Sequence, residues 1–452
     1  IDNRFSRMKS LLSSLSNWRP GTPFYYGWVI LAMSFLAAFA ASGVTQVVLG
    51  GIQVFITDDT GWKKSTLSIA ITAGTWSSGL LAPFVGRLAD RYGPRWLMPI
   101  GLVIAAIAFF SIAGTHAIWQ FFAAYILGRA VSNPVLVGLV PRTAAVNFFF
   151  RRRNMTLALI STFRPISGAI NIQIISLIAI HWGWRAAYRY MGVLSLVLVA
   201  PMLLLMRRRP EDIGLLPDGA EPIESAGEET ESEVTQQPRS SRRVRTGQDE
   251  LSWTAGEALR TKSFWLVVAT ASAATLASST IGFSLVPYLA DDVGLTKVQS
   301  AGVLSLGTFL AIGNLGWGYL ADLITPRKCL AIAMIAAGAM AFFLTTVDSL
   351  SMALVFALVF GIASGPAGSL ESMMLAQYYG RNSYGAILGA FAPFQTAMLG
   401  LGPALGALFR ERVEPYNTLY LALAGLYFMA ATFVFLATPP QLPARQRPPS
   451  PK

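Results

Sequence analysis

The sequence predicts an all-α membrane protein of twelve transmembrane helices in two pseudo-symmetric six-helix bundles. Two observations carry this. The chain of 452 residues is 54% hydrophobic and only 13% charged, whereas soluble domains carry about 25% charged residues. In addition, a polar ten-residue cluster is written twice, as Gly86-Arg-Leu-Ala-Asp90-Arg-Tyr-Gly-Pro94-Arg95 and Gly318-Tyr-Leu-Ala-Asp322-Leu-Ile-Thr-Pro326-Arg327. Each copy lies between two apolar runs, so it reads as a tight hairpin at a membrane surface in each of two related halves.

The spans follow from apolar runs of roughly 18 to 30 residues, each long enough as a helix to cross ~30 Å of hydrocarbon. They lie near 28–56, 65–85, 96–114, 118–146, 155–180 and 186–206, then 264–290, 300–320, 329–346, 351–376, 384–409 and 418–436. Such lengths suit helices and exceed those of barrel strands. The expected division is an amino-terminal arm 1–23, a first bundle 24–206, a linker 207–262, a second bundle 263–437 and a tail 438–452. The linker is rich in charge, Ser and Gln, and its composition predicts disorder. Its end, Trp253-Thr-Ala-Gly-Glu-Ala-Leu-Arg260, is compatible with a helix lying on the membrane surface. The Pro-rich tail is expected to be unstructured.

With the amino terminus inside, most of the 35 Lys and Arg fall in cytoplasmic segments, which predicts that both termini are cytoplasmic. The net charge of +12 reflects this bias and contact with the lipid bilayer; nucleic acid is not expected as a partner. The single cysteine, Cys329, excludes an internal disulfide and a multi-cysteine metal site. The two histidines, His116 and His181, fall in outside loops. The polar, basic start followed by a run of full spanning length does not resemble a cleavable leader. No phosphate-binding glycine loop and no convergent catalytic cluster is visible, so neither an enzyme nor an ATP-driven pump is expected, and no cofactor or metal.

The hairpin pattern resembles the loop motif of the major facilitator superfamily. In such a hairpin a Gly permits close helix contact, and the Asp can cap the next helix and meet an Arg that lets go as the halves rock. The gating residues are therefore expected to be Gly86, Asp90, Arg91, Gly93 and Arg95, with Asp322 and Arg327 in the second copy, where Leu323 and Thr325 replace the second Arg and the Gly. Further segments, Gly61-Trp-Lys-Lys-Ser65, Phe149-Phe-Arg-Arg-Arg153, Gly183-Trp-Arg-Ala-Ala-Tyr188, Arg209-Pro-Glu-Asp-Ile-Gly214 with Pro217-Asp-Gly219, and Tyr379-Gly-Arg-Asn-Ser-Tyr-Gly385, resemble the bacterial monocarboxylate porter and oxalate/formate antiporter families. That resemblance implies secondary transport of a small organic anion, with a proton or by exchange with a counter-anion, by a monomer in the bacterial inner membrane. The Asp and Arg that monocarboxylate porters carry in span eight are replaced here by Leu310 and Asn314. The first span has only Gln46 and Gln53 where a Lys is usual, and the Lys of span eleven is absent.

A charge at bilayer depth costs about 2.5 kcal/mol or more, so the intramembrane Arg129, Arg164 and Glu371 are functional candidates. At 1.5 Å per residue, Arg129 lies ~16 Å from the outer end of span four and Arg164 ~14 Å from the inner end of span five, while Glu371 lies ~9 Å from the inner end of span ten. Arg164 and Arg129 are expected to hold a substrate carboxylate through the planar fork of the guanidinium. Asn314, Gln46 and Gln395 are further candidates for lining the cavity. Glu371 is either a proton site or the partner of an Arg. Two other functions remain open: export of amphipathic or drug-like compounds, and a membrane sensor that transports nothing.

Overall fold

A computed structural model of the chain describes residues 21–219, 253–310, 313–412 and 416–441; these are almost entirely helical, with no strand among them. The first half contains α1 (Gly27–Ala41), α2 (Gln46–Thr60), α3 (Lys64–Tyr92), α4 (Pro94–Ala113), α5 (Ile118–Ser132), α6 (Leu139–Phe148) and α7 (Arg153–Leu205). A short α8 (Ala255–Leu259) precedes α9 (Lys262–Pro287), α10 (Lys297–Leu310), α11 (Asn314–Ile324), α12 (Pro326–Phe343), α13 (Leu350–Ser364), α14 (Ala367–Tyr379), α15 (Tyr384–Arg412) and α16 (Tyr416–Leu436).

Ten stretches among the described residues are long and apolar enough to cross a membrane. One of them, α7, bends at Gly183 (φ 82°, ψ 160°) and holds two spanning lengths. Together α10 and α11, on either side of residues 311 and 312, cover a further one. The helices are therefore consistent with twelve spans. Trp119, Leu177, Phe309 and Phe435 stay exposed on the outer surfaces, which suits a solvent of lipid tails better than water.

Several predicted spans are broken helices. Span one is interrupted between α1 and α2 by a 3₁₀ turn, Ser42–Val44. In span four, α5 and α6 are separated by a π-turn, Asn133–Val137, in which Pro134 has no N–H to give and the Gly138 N–H reaches back to the Asn133 carbonyl at 2.9 Å. The corresponding span of the second half breaks between α13 and α14 at Gly365-Pro366. The two breaks face the same cavity from opposite halves.

The halves meet along two helix pairs. On α3, Gly79 faces Thr396 of α15, and a Cβ at Gly86 would sit 2.2 Å from the Gly385 carbonyl oxygen. On α11, a Cβ at Gly318 would meet the Ala158 Cβ of α7 at 2.6 Å. Both contacts use the glycine that opens a hairpin motif, so each half presents the same device to the other. At the hairpin itself Gly93 takes φ 75° before Pro94 starts α4. In the second copy Thr325 is held at φ 99°, a region that favours glycine.

The linker differs from its predicted disorder at its start. Residues 207–219 are ordered against the first hairpin and the residues at the end of α6, with 3₁₀ turns at Pro210–Ile213 and Pro217–Gly219. The predicted surface helix is present as α8, capped by Thr254 and Glu257. It is not laid on the membrane surface alone: Trp253 is buried with its ring 5.6 Å from that of Tyr379. The middle of the linker, the amino-terminal arm to residue 20 and most of the tail lie outside the described residues.

Candidate functional site

The breaks in spans four and ten open a cavity of about 250 Å³ between the halves. Its walls come from α3, the π-turn, α6 and α7 on one side and from α11, α14 and α15 on the other. Asn133, Arg142, Arg164, Asn314, Gln395 and Thr396 supply its polar surface, with Phe391 and Leu388 among its apolar groups. Among the described residues that line it there are two arginines and no acidic side chain.

Arg164, expected at the midplane, is exposed to this cavity. It follows Phe163 and precedes Pro165 on α7, whose missing N–H loosens the helix there. Arg129 is also placed at depth but behind the wall: it is buried, and its Nη1 donates to the Val44 carbonyl at 3.1 Å, an acceptor freed by the break in span one. Tyr125 donates to the same oxygen at 3.0 Å. The charge of Arg129 still reaches Arg164, as does that of Arg142.

Arg142 was missed at the sequence level, because it sits near the end of an apolar run and reads as a residue of the basic cytoplasmic segment that follows. The break in span four turns α6 inward instead and delivers Arg142 to the cavity. Its Nη1 donates to Ser372 Oγ at 2.9 Å across the interface between the halves, while its Nε has no hydrogen-bond partner. A Pro or Asn-Pro in mid-span was the available signal for such a break.

Glu371 is fully buried on α14. Gln395 Nε2 donates to its Oε2 at 3.1 Å, its Oε1 is without a hydrogen bond, and Arg142 acts on it at Coulombic range. Gln395 thus stands between the cavity and the carboxylate. Asn314 is buried at the cavity edge with its Oδ1 unpartnered. The side chain of Gln46 lies outside the described residues.

The hairpin residues lie together on one face of the molecule. Asp90 does not cap the helix that follows it in the chain. Its Oδ1 accepts from Gly385 N at 2.9 Å and its Oδ2 from Ala386 N at 2.7 Å, so it caps α15 of the other half. Its backbone carbonyl accepts from Arg208. Arg91 and Arg95 lie over the rings of Tyr92 and Trp96 at 5.3 and 6.0 Å. In the second copy Asp322 accepts from Asn154 Nδ2 at 2.8 Å, at the start of α7, and Arg327 donates to the last carbonyls of α16, those of Val434 (3.1 Å) and Phe435. On the opposite face Asp59 accepts from Trp184 Nε1 at 3.0 Å and from Arg185, and these hydrogen bonds hold its carboxyl below the usual carboxylate range. That contact gives the Gly183-Trp-Arg segment a structural task.

Comparison with known proteins agrees with this architecture. The crystal structure of the transporter FucP in the outward conformation is similar with a TM-score of 0.64 at 13% identity, over 91% of this chain and 98% of that one. Monocarboxylate transporter 4 of Rattus norvegicus is 22% identical over 91% of this chain and 82% of its own length. The MFS-type transporter pynF of Aspergillus niger is 23% identical over 77% and 73%. A membrane sensor protein, UhpC of Salmonella typhimurium, is 26% identical over 30% of this chain and 30% of its own. The sequence profile of the Major Facilitator Superfamily matches residues 31–403 and 271–451, and the chain belongs to that superfamily.

Proposed function

We propose that this chain is a secondary active transporter of a small, monocarboxylate-like organic anion, working by alternating access with a proton or a counter-anion. The observation that carries the reading is the cavity between the halves, lined by Arg142 and Arg164 without an acidic side chain. Positive potential at bilayer depth is costly unless an anion enters, and a carboxylate suits the two-pronged guanidinium. Arg164 is the primary contact. Arg142 supports it from α6 on the same side of the cavity, and Arg129 raises the local potential from behind. Asn314 and Gln395 orient the rest of the anion, Glu371 is the candidate proton site, and the hairpin residues Gly86, Asp90, Arg91, Gly93, Arg95, Asp322 and Arg327 form the gate.

In this reading 24–206 and 263–437 are the two rocking bundles. The hairpin face and both termini are cytoplasmic in a bacterial inner membrane, as the Lys and Arg bias supports. Similarity to a monocarboxylate transporter along most of the chain favours the anion reading over export of amphipathic compounds. The partial likeness to a membrane sensor makes a non-transporting role the second reading.

Purified protein in proteoliposomes, supplied with radiolabelled short-chain carboxylates with and without a pH gradient, tests the reading. Saturable uptake of a carboxylate is the expected result. Removing one partner of a buried charged pair costs about 2 to 5 kcal/mol, so Arg164→Ala should abolish that uptake, and Arg164→Lys should weaken binding although the charge is kept. Near wild-type affinity of Arg164→Ala by calorimetry would remove Arg164 from the site. Absence of uptake of any carboxylate, with an intact cellular phenotype in the double variant of Arg129 and Arg164, would favour the sensor.

A further inference from the structure

Beyond the break in span ten the second half holds a hollow of its own. It lies between α9, α10 and α13, on the side of the cavity away from the hairpins, and measures about 180 Å³. Close packing leaves few voids of this size in a folded chain. Glycine leaves this one. A Cβ built at Gly282 on α9 would meet nothing within 4 Å, whereas one at Gly361 on α13 would sit 2.4 Å from the Gly307 carbonyl oxygen of α10. The close contact brings α10 and α13 together backbone to backbone, and the bare position at 282 leaves the space beside them unfilled. Glycine is also a poor helix former, so a larger apolar residue at 282 would both firm α9 and fill the gap.

The walls define the chemistry that fits. Leu285, Val303 and Leu304 line the hollow with Phe356 and Phe360, whose rings stack with centroids 5.0 Å apart. No charged side chain lies among the described residues around it. Its two serines spend their hydroxyls within their own helices: Ser278 Oγ donates to the Thr275 carbonyl at 3.2 Å and Ser364 Oγ to that of Phe360 at 2.7 Å. The hollow therefore offers apolar surface and asks for no hydrogen bond. An apolar cavity of about 150 Å³ holds a benzene molecule, so this one has room for a group of about six carbons.

Its position supplies the occupant. α13 ends at Ser364, which lines the hollow, and the next residue, Gly365, lines the anion cavity. From Ser364 the hollow extends along α13 to Phe356, ~12 Å at 1.5 Å per residue. The two spaces lie end to end across the break, one carrying Arg142 and Arg164 and the other only apolar groups and satisfied hydroxyls.

We propose that the hollow between α9, α10 and α13 is an apolar subsite for the body of the transported anion. The substrate is then an amphipathic carboxylate. Its carboxyl group is held at Arg164, and an alkyl or aryl group of about six carbons is seated against Phe356 and Phe360. The proposal rests on the carboxylate reading of the cavity and adds to it a preference for length.

Equilibrium binding of straight-chain acids, from propionate to decanoate, to the purified full chain tests the subsite. Each methylene that leaves water for an apolar site is worth about 4-fold in affinity, so wild type should bind decanoate about 100-fold or more tighter than propionate. Gly282→Leu fills the hollow from a Cβ that meets no other atom. It should cut the decanoate-to-propionate ratio by about 10-fold or more, and Gly282→Ala, which fills less of the space, by a smaller factor. Partition of long acids into detergent acts equally on all three proteins and drops out of the comparison. A ratio that is the same in wild type, Gly282→Ala and Gly282→Leu overturns the subsite, and so does a wild-type affinity that does not rise with length. If propionate binding that depends on Arg164 persists in either case, the carboxylate reading stands alone. Failure of wild type to bind any of the acids removes both.

Discussion

Arg142 and Thr325 are the two residues whose placement departs furthest from what their neighbours in sequence suggest. Arg142 is drawn from a basic segment into the cavity by the π-turn of span four, and in the proposed site it shares the anion with Arg164. Arg142→Gln should weaken carboxylate binding at least 10-fold in calorimetry, by the ~1.4 kcal/mol or more that a charge-assisted contact supplies. Retained affinity would confine Arg142 to its bond with Ser372. Glu371→Gln keeps the hydrogen bond from Gln395 but cannot carry a proton. It should leave exchange of carboxylates intact and abolish stimulation of uptake by a pH gradient; a persistent pH response would assign Glu371 to pairing alone. Thr325 occupies a backbone region that costs roughly 1 to 3 kcal/mol for a side chain, while glycine there forfeits about 0.4 to 1 kcal/mol through the unfolded chain. Thr325→Gly should therefore raise the thermal midpoint of the purified protein, and a lowered midpoint would show that the hydroxyl or methyl makes compensating contacts.

For the helices, the decisive feature is that each hairpin helix docks on the opposite half. α3 presents Gly86 and Asp90 to α15, and α11 presents Gly318 and Asp322 to α7. Loss of a helix-capping carboxylate costs about 0.5 to 2 kcal/mol. Here the cap is made only while the halves are in contact on this face. Asp90→Asn should thus leave insertion and total expression unchanged while raising cysteine labelling of the cavity from the hairpin face by a few-fold. Gly86→Val should do so more strongly, since no Cβ fits 2.2 Å from the Gly385 carbonyl oxygen. Unaltered labelling in both variants would separate these contacts from gating. The breaks in spans four and ten belong to the same scale, because uncapped carbonyls and turned side chains at mid-depth are tolerated where they line a cavity and not where they face lipid.

Across the whole molecule, the contacts of Asp90 and Arg381 on the hairpin face and that of Arg142 with Ser372 at the cavity join the halves. Sidedness is the remaining property at this scale. Cysteines placed at the exposed positions Lys328 and His116 lie on the hairpin face and the opposite face respectively. With the hairpins cytoplasmic, impermeant reagents added to intact cells should label His116→Cys and not Lys328→Cys, and in inside-out vesicles the pattern should reverse. The opposite result would invert the proposed topology.

Hydrophobic run length and the repeated hairpin were sufficient to read an all-helical membrane chain of two related halves, because the bilayer demands long apolar helices and a duplicated motif survives as residue identity. Intramembrane charge alone also pointed to Arg164, whose side chain does open into the cavity. Three things were decided only in three dimensions. Breaks at Asn133–Val137 and Gly365-Pro366 turn helix ends inward by an angle that hydropathy does not encode. The release of the Val44 carbonyl claims Arg129 and takes it out of the cavity wall. The partners of Asp90, Glu211 and Asp218 lie far along the chain, at Gly385, Arg381 and Phe150. Polar contacts between distant segments depend on how the two halves are packed, and no local pattern of residue types specifies that packing.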